Sequence, residues 1–419
     1  MLILKNQLND DGGLEKQTFS ICKAFSQKYP GRQAQNKAKD GNPEPEVQKK
    51  IVILTTKAKT NKKQKSNASS AFKLKNHFLK NLHLHLIKKL PVPHFLQLVY
   101  YNHQVKKYLK KHPHKLVLGL DKSTCQTHLR MGNGLHSFFL KQRRAYENFW
   151  KKLFLFFDPR HWTILWFEKK ALLNPNLRKI ITNSHMVKDQ ILTLYPAHEK
   201  KIKVVHNGIK WKKLKKNFQA SFQKRSAFLK EKNLNASENT HHFLFVGHGF
   251  KRKGLDILLQ ALSLLKQDQI SHKTEITKTA WHLSIVGKDK QAKFYQKLAK
   301  KLGLEKNVTF FGRQKDCLSF YSICDTFVLP SYYDPFANTT LEALAMGVFT
   351  ITSAYNGGKE VINPKNGYVM QTMDPHELFL VLKNALSHPK TEASAEQIRL
   401  SVKHLEMDQQ ISLLIKELN

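Results

Sequence analysis

Apolar residues run through this chain in short blocks, and most blocks precede a stretch with the three-to-four residue recurrence of a helix. In the first half, residues 2–7, 51–56, 116–120 and 179–183 read as strands, and residues 14–25 as the helix after the first of them, with Gly12 and Gly13 as the turn. In the second half, residues 242–246, 282–286, 308–311, 326–329 and 348–352 are strand-like, each followed by a helical pattern. Alternation of this kind predicts an α/β protein with parallel sheets. Ligands of such sheets lie beyond the carboxyl ends of the strands, so Gly247, Gly287, Gly312, Ser331 and Ser353 mark a rim. Residues 33–50, with Pro43 and Pro45, and residues 61–70 are polar and read as surface insertions. The reading is a first domain over residues 1–210, a lysine-rich linker over 211–239, a second domain over 240–390, and a final segment, 391–419, with its helix near 395–418.

Residues 328–358, VLPSYYDPFANTTLEALAMGVFTITSAYNGG, place Asp334 and Glu342 eight positions apart around a strand-to-helix junction. The unsatisfied N–H groups and partial positive charge of a helix start favour a diphosphate. Glu342 is placed to accept from ribose hydroxyls, and Asp334 to face a sugar. The plainer alternative is a helix-capping aspartate and a surface glutamate. In FKRKG, residues 250–254, Arg252 and Lys253 offer cations where a departing diphosphate needs them, although a lysine-rich loop is common in so basic a chain. Gly357 and Gly358, like Gly12 and Gly13, allow close backbone approach. Around Gly132 and Gly134, in THLRMGNGLHSFFLKQR (residues 127–143), His136 is the candidate for hydrogen-bonding a sugar hydroxyl or helping a proton leave the acceptor, and Arg130 for binding an acceptor phosphate. A histidine packing the next helix is the alternative for His136.

Four blocks, DDGGLEKQ (10–17), KIKVVHNGI (201–209), VGHGFKRKGLDILLQAL (246–262) and the 328–358 segment, together resemble glycosyltransferase family 4, retaining enzymes that use nucleotide sugars. Residues 285–316 also look like the family's, and within it the C-terminal half most resembles the glucosyltransferases that extend the inner core of bacterial lipopolysaccharide. The resemblance implies two facing Rossmann-like domains, the glycosyltransferase B fold, with a donor cleft between them and a C-terminal helix crossing back to the first domain. It implies that Lys253 and Arg252 hold the diphosphate, that Gly12, Gly13, Gly247, Gly312, Gly357 and Gly358 line the donor, and that Glu342 and Asp334 contact ribose and sugar. His136, Asp334, Lys253 and Arg252 are then the candidate catalytic set, with Asp334 positioning the donor rather than attacking it. Two departures stand out: the first acid of the family's pair is usually glutamate, and some members carry an arginine where His248 stands.

Charge adds a partner class. The chain has 71 Lys plus Arg against 31 Asp plus Glu, a net +40, which calls for an anionic neighbour. Residues 57–115 hold fifteen lysines and no acid. Within them, FKLKNHFLKNLHLHLIKKL (72–90) reads as a basic amphipathic helix, for anionic lipid or for packing on the core. Each lysine near an anionic leaflet contributes roughly 1 kcal/mol. FWKKLFLFFDPRHWTILWF (149–167) fits aromatic anchoring or buried helices equally. No nucleic-acid module is recognisable, and nucleic acid is not expected as a partner. Cys22, Cys125, Cys317 and Cys324 lack paired spacing, so neither zinc nor a disulfide framework is signalled. The amino terminus has too short an apolar run for a signal peptide, and no run is long enough to span a bilayer. The expected location is cytoplasmic and peripheral to the inner membrane face. Asp-x-Asp is absent, so no metal and no cofactor beyond the sugar nucleotide is expected. The expected function is transfer of a hexose from a UDP-sugar to a glycolipid. A soluble sugar acceptor, or a basic nucleic-acid-binding or scaffold protein with a decayed site, are the alternatives.

Overall fold

The computed structural model describes residues 1–8, 18, 20–23, 25, 51–58, 82–234, 240–271 and 279–418. Two compact units divide the chain: Met1–Asn183, Val187–Val205 and Gln410–Asn419 form one, and Ser184–Met186 with His206–Gln409 form the other.

The first unit is built on a parallel sheet of β1 (Leu2–Leu4), β2 (Ile51–Thr55), β3 (Leu82–Leu86), β4 (Val117–Gly119), β5 (His128–Met131), β6 (Lys179–Thr182) and β7 (Ile202–Val204), in the order β3-β2-β1-β4-β5-β6-β7. The period-two rule sorts its side chains onto two layers. Leu2, Leu4, Leu54 and Val117 pack with Tyr101 and Val105 of α1 (His94–Lys111), whose Tyr101 hydroxyl donates to Leu54 O at 3.0 Å. Ile3, Ile53, Leu118 and Ile181 pack on the opposite face with Ile21, Cys22 and Phe25, and residues 18, 20–23 and 25 are helical as expected. Helices α2 (His136–Tyr146), α3 (Phe149–Phe157), α4 (Pro159–Leu172) and α5 (His185–Leu194) follow, the last belonging to this unit from Val187 onward.

In the second unit the sheet comprises β8 (Thr240–Val246), β9 (Ala280–Val286), β10 (Val308–Gly312), β11 (Thr326–Leu329), β12 (Phe349–Ser353) and β13 (Gly367–Met370), in the order β10-β9-β8-β11-β12-β13. All are parallel. Counted within each unit, the second sheet runs 3-2-1-4-5-6 and the first 3-2-1-4-5-6-7, the doubly wound order that reverses direction beside its first strand. Helices α6 (Trp211–Gln219), α7 (Ser221–Glu231), α8 (Leu255–Ser271), α9 (Ala292–Lys301), α10 (Leu318–Ile323), α11 (Asn338–Ala345), α12 (Pro375–Leu386) and α13 (Glu392–Ser401) surround it, and α14 (Met407–Leu418) ends the described chain.

Several expectations need correction. Residues 211–234 are not a bare linker: Trp211, Leu214 and Phe218 recur at helical spacing and are buried, while the lysines between them fill the other face of α6. The described part of the expected basic helix at 72–90 is strand β3, because LHLHL alternates with period two; residues 72–81 lie outside the described residues. The reading of residues 2–7 as one strand gives way to β1 and a separate two-residue pairing of Gln7–Leu8 with Lys57–Ala58. The expected helix near 395–418 is divided: α13 stops at Ser401, a short 3-10 turn follows, and α14 begins at Met407.

Of the last segment, residues from Gln410 onward belong to the first unit, where Leu414, Ile415 and Leu418 are buried in its sheet core. Truncating Leu414 to alanine removes a buried side chain from that core, at an expected cost of about 2–4 kcal/mol. Urea denaturation followed by far-UV circular dichroism should show the first unit's transition move to lower urea; an unmoved transition would mean the helix is dispensable.

Candidate functional site: a buried carboxylate between two cations at the strand switch point

The second unit's sheet changes direction between β8 and β11, so the loops after these two strands diverge around a crevice at their carboxyl ends. The loop after β8 is residues 247–254 and that after β11 is residues 330–337. Gly254 lets them close on each other: its φ is +75°, and a Cβ there would lie 1.8 Å from Pro330 O. Only glycine fits so near an opposing carbonyl with that dihedral. Tyr332 N donates to Arg252 O at 2.9 Å, fastening the two loops.

Asp334 sits where they meet and is buried. Its Oδ2 accepts from Arg252 Nη1 at 2.9 Å and from the Lys253 ammonium, and its Oδ1 accepts from Phe336 N at 3.1 Å. Arg252 Nη1 also donates to Tyr333 O at 2.9 Å. Burial alone would raise the Asp334 carboxyl, but the charges of Lys253 and Arg252 outweigh it and hold the group at about 2. Burial lowers the Lys253 ammonium from its usual range, against the pull of Asp334. The carboxylate is thus an anion with both oxygens engaged, suited to positioning and poorly suited to attack. Arg252 remains partly exposed, whereas Lys253 lies behind it.

Other expected residues are gathered by the same sheet ends. Gly247 N donates to Val286 O and Gly287 N to Gly312 O, which places the ends of β8, β9 and β10 side by side. Ser353 Oγ donates to Ser331 O at 2.5 Å, joining β12 to β11. His248 pairs through Nδ1 with the Lys288 backbone. Glu342 lies in α11 and accepts from the buried Tyr321 hydroxyl at 3.4 Å. Gly357 N donates to Asp334 O at 2.8 Å, and a Cβ on Gly357 would stand 2.0 Å from Pro335 O. Gly358 N donates to Asn356 Oδ1 at 2.9 Å. Gly12 and Gly13 lie outside the described residues.

One residue of this loop set went unnoticed in the sequence. Asn356 is fully buried; its Oδ1 also accepts from Ala337 N at 3.3 Å, and its Nδ2 donates to Thr352 Oγ1 at 2.7 Å. It pins the loop after β12 to the start of α11. An asparagine before Gly-Gly, whose side chain bonds backbone two residues on, was the available signal.

In the first unit, His136 opens α2. Its N–H donates to Glu168 Oε2 at 2.6 Å, and its Nε2 pairs with His161 Nδ1 at 2.9 Å. Burial, then the nearby Lys122 charge, bring the imidazole down to about 4, so it is neutral at pH 7. Glu168 also accepts from Ser137 and from Lys122, satisfying the first turn of α2. Arg130 lies in β5, 4% exposed, with Nη2 donating to Val205 O at 3.5 Å. An acceptor phosphate reaches it only if the side chains over it move. At the end of β4, Asp121 accepts from Lys5 Nζ at 3.0 Å and from Asn6 N at 2.7 Å.

Among the described residues, His185, His206 and Glu360 bring ligand-capable atoms within 4.8 Å of one another. Glu360 accepts from the N–H groups of His185 and Met186 and from His206 Nε2 at 2.9 Å. These bonds to a helix start and an imidazole account for the grouping without a cation.

The crystal structure of WaaG, described as a glycosyltransferase involved in lipopolysaccharide biosynthesis, superposes with a TM-score of 0.71 over 100% of this chain and 99% of that one at 18% identity. The sucrose-phosphate synthase of Thermosynechococcus elongatus gives 0.68 over 100% and 97%, also at 18%. The architecture is therefore the glycosyltransferase B fold of two Rossmann-like units. Residues 227–404, which carry the switch-point site, match the family model of glycosyl transferases group 1. An uncharacterized glycosyltransferase of Methanocaldococcus jannaschii is 26% identical over 213 residues, 50% of this chain and 51% of that protein. The lipopolysaccharide glucosyltransferase WaaG of Escherichia coli is 32% identical over 165 residues, 39% and 42% respectively. The matches thus span about half the length of these relatives.

A carboxyl held at about 2, against 3.8 in the unfolded chain, binds fewer protons when folded. The stability it contributes is complete above about pH 4 and is lost as pH falls through about 2, roughly 2 kcal/mol in all. Urea midpoints measured from pH 5 down to 2 should decline in wild type and less steeply in Asp334→Asn. Identical slopes would contradict the ion cluster.

Proposed function

We propose that this protein is a retaining glycosyltransferase that moves a hexose from UDP-hexose to a glycolipid acceptor of the lipopolysaccharide-core type at the cytoplasmic membrane face. The carrying observation is the Asp334–Arg252–Lys253 cluster at the strand switch point of the second unit. The likeness of part of the chain to WaaG of Escherichia coli supports the acceptor class.

In this reading the diphosphate enters beside Arg252 and Lys253, whose positive charges share themselves between Asp334 and the phosphoryl oxygens. Charge that develops on the leaving diphosphate meets donors already in place, so little reorganisation accompanies bond breaking. Asp334 fixes the sugar through its hydroxyls, and Glu342 fixes the ribose. The C1–oxygen bond to the diphosphate breaks, the acceptor oxygen bonds to C1 on the same face, and the acceptor proton passes to the departing diphosphate. No protein nucleophile is required, in keeping with an Asp334 whose oxygens are both engaged. His136, neutral at pH 7, serves the acceptor side through the hydroxyl it can bond. Binding and transfer need no metal in this scheme, because cationic side chains supply the charge.

Two measurements test it. A hydrolysis screen over sugar nucleotides should find a UDP-hexose turned over slowly without acceptor; no turnover of any donor would remove the enzyme reading. Asp334→Asn should keep UDP-induced thermal stabilisation and lose transfer by at least about a hundredfold, whereas Lys253→Ala should lose both. Unimpaired transfer by Asp334→Asn would overturn its assignment.

A further inference from the structure

The segment DPRH, residues 158–161, starts α4 in a way that reaches His136. Asp158 caps the helix by accepting from Arg160 N at 2.9 Å, and Pro159 takes the first helical position. His161 falls in the same turn, its N–H donating to Asp158 O at 3.0 Å. That turn brings the two side chains together, with His161 Nε2 at 3.9 Å from Asp158 Oδ2. Arg160 clasps the same carboxyl, its Nε donating to the two oxygens at 2.9 and 3.0 Å, and so brings it down to about 2. On its other edge, His161 Nδ1 meets His136 Nε2 at 2.9 Å, and Phe139 stacks on the His136 ring at 5.7 Å. Asp158, His161 and His136 thus form a chain of contacts within the first unit, all three partly buried.

Two neutral imidazoles in contact share one hydrogen between their facing nitrogens, and its placement fixes the tautomer of both rings. Burial lowers both imidazoles. Lys122 and Arg143 add to this at His136, against Glu168, and Arg143, Arg160 and Arg144 add to it at His161, against Asp158. One hydrogen per ring remains at pH 7. The Asp158 charge draws that of His161 to Nε2, which leaves Nδ1 bare, so the 2.9 Å contact is made by His136 Nε2–H as donor. The reverse placement would turn a lone pair of His161 toward the carboxylate. His136 Nδ1 is in consequence a bare acceptor, and no hydrogen bond among the described residues reaches it. It stands at the start of α2, beyond the carboxyl end of β5, on the side where ligands of a parallel sheet lie.

We propose that His161, oriented by Asp158, is a positioning residue that keeps the His136 hydrogen on Nε2 and so makes His136 Nδ1 the atom that accepts a hydrogen bond from a hydroxyl of the sugar acceptor. This rests on the acceptor-side role given to His136 above and adds the kind of group that it takes. The hydroxyl is a neighbour of the attacking one, whose own proton leaves with the diphosphate. A bare nitrogen takes a hydroxyl and turns away an ionised phosphate oxygen, which has no hydrogen to give.

Long-range proton–nitrogen spectra of the full chain, labelled with nitrogen-15 histidine, show which ring nitrogen carries hydrogen, and the signals that His136→Gln and His161→Phe lack assign the two rings. At pH 7 the wild type should show both with hydrogen on Nε2 and a bare Nδ1. It should also show a His136 ring N–H in slow exchange with water, lost in His161→Phe and kept in His161→Asn, whose amide oxygen can stand in for Nδ1. Hydrogen on His136 Nδ1, or a His136 ring averaging between tautomers, would overturn the proposal, and both are read in the wild type. With lipopolysaccharide truncated in its core as acceptor, His161→Phe should lower kcat/KM for the acceptor about tenfold, the worth of one hydrogen bond. Its donor KM, thermal midpoint and UDP-induced stabilisation should stay unchanged, and His161→Asn should recover most of the loss. An acceptor kcat/KM unaltered in His161→Phe would equally overturn the positioning role. Spectra as expected in a wild type that turns over no sugar nucleotide would uphold the hydrogen placement and count against the enzyme reading, because the spectra need neither donor nor acceptor.

Discussion

The placement of one buried carboxylate governs the rest of the second unit's site. Asp334 has left water, and an uncompensated charge there would cost several kcal/mol. Arg252 and Lys253 supply the compensation, but they stand on the loop after a different strand. The two loops must therefore lie against each other, which the glycine at 254 permits and the Tyr332–Arg252 backbone bond secures. Gly357 then brings the loop after β12 onto Asp334 O, and Asn356 ties that loop to the start of α11. A cluster of mixed charge follows from these constraints: two cations held at fixed places by one carboxylate, at the strand ends where a helix also begins.

The alternation of strands and helices in the second unit was legible because its central strands β8 and β11 are fully buried and therefore nearly continuous in apolar residues, as in residues 242–246 and 326–329. Strand β5 was not anticipated, since HLRM carries a histidine and an arginine that read as loop chemistry yet are buried in the sheet. Tertiary packing overrides local polarity there. The same cause buries Arg130, the candidate for an acceptor phosphate, in the first unit's sheet. Residues 211–234 misled in the opposite sense: eight-residue windows dominated by lysine hide an apolar stripe made of only Trp211, Leu214 and Phe218. In the candidate site, the sequence pointed to Arg252, Lys253 and Asp334 but not to whom they bond. That Lys253 and Arg252 converge on Asp334 depends on strand order, which no local pattern contains.

The two units use charge differently. In the second, cations near the switch point are buried or half-buried and locked to a carboxylate, a geometry for holding a small anion. In the first, lysines of α3 and α4 stand exposed among aromatic rings, a geometry for an extended surface. A net charge of +40 thus stands in at least two distinct settings, and the composition alone distinguishes neither.

The central claim is that the Arg252–Lys253–Asp334 cluster is a diphosphate clamp, and calorimetric titration of the full chain with UDP and with uridine tests it most directly. If the cations hold the diphosphate, UDP binds and uridine binds at least about a hundredfold more weakly, since two or more charge-assisted bonds are lost. Equal affinities for the two ligands, or no binding of UDP, would contradict the account.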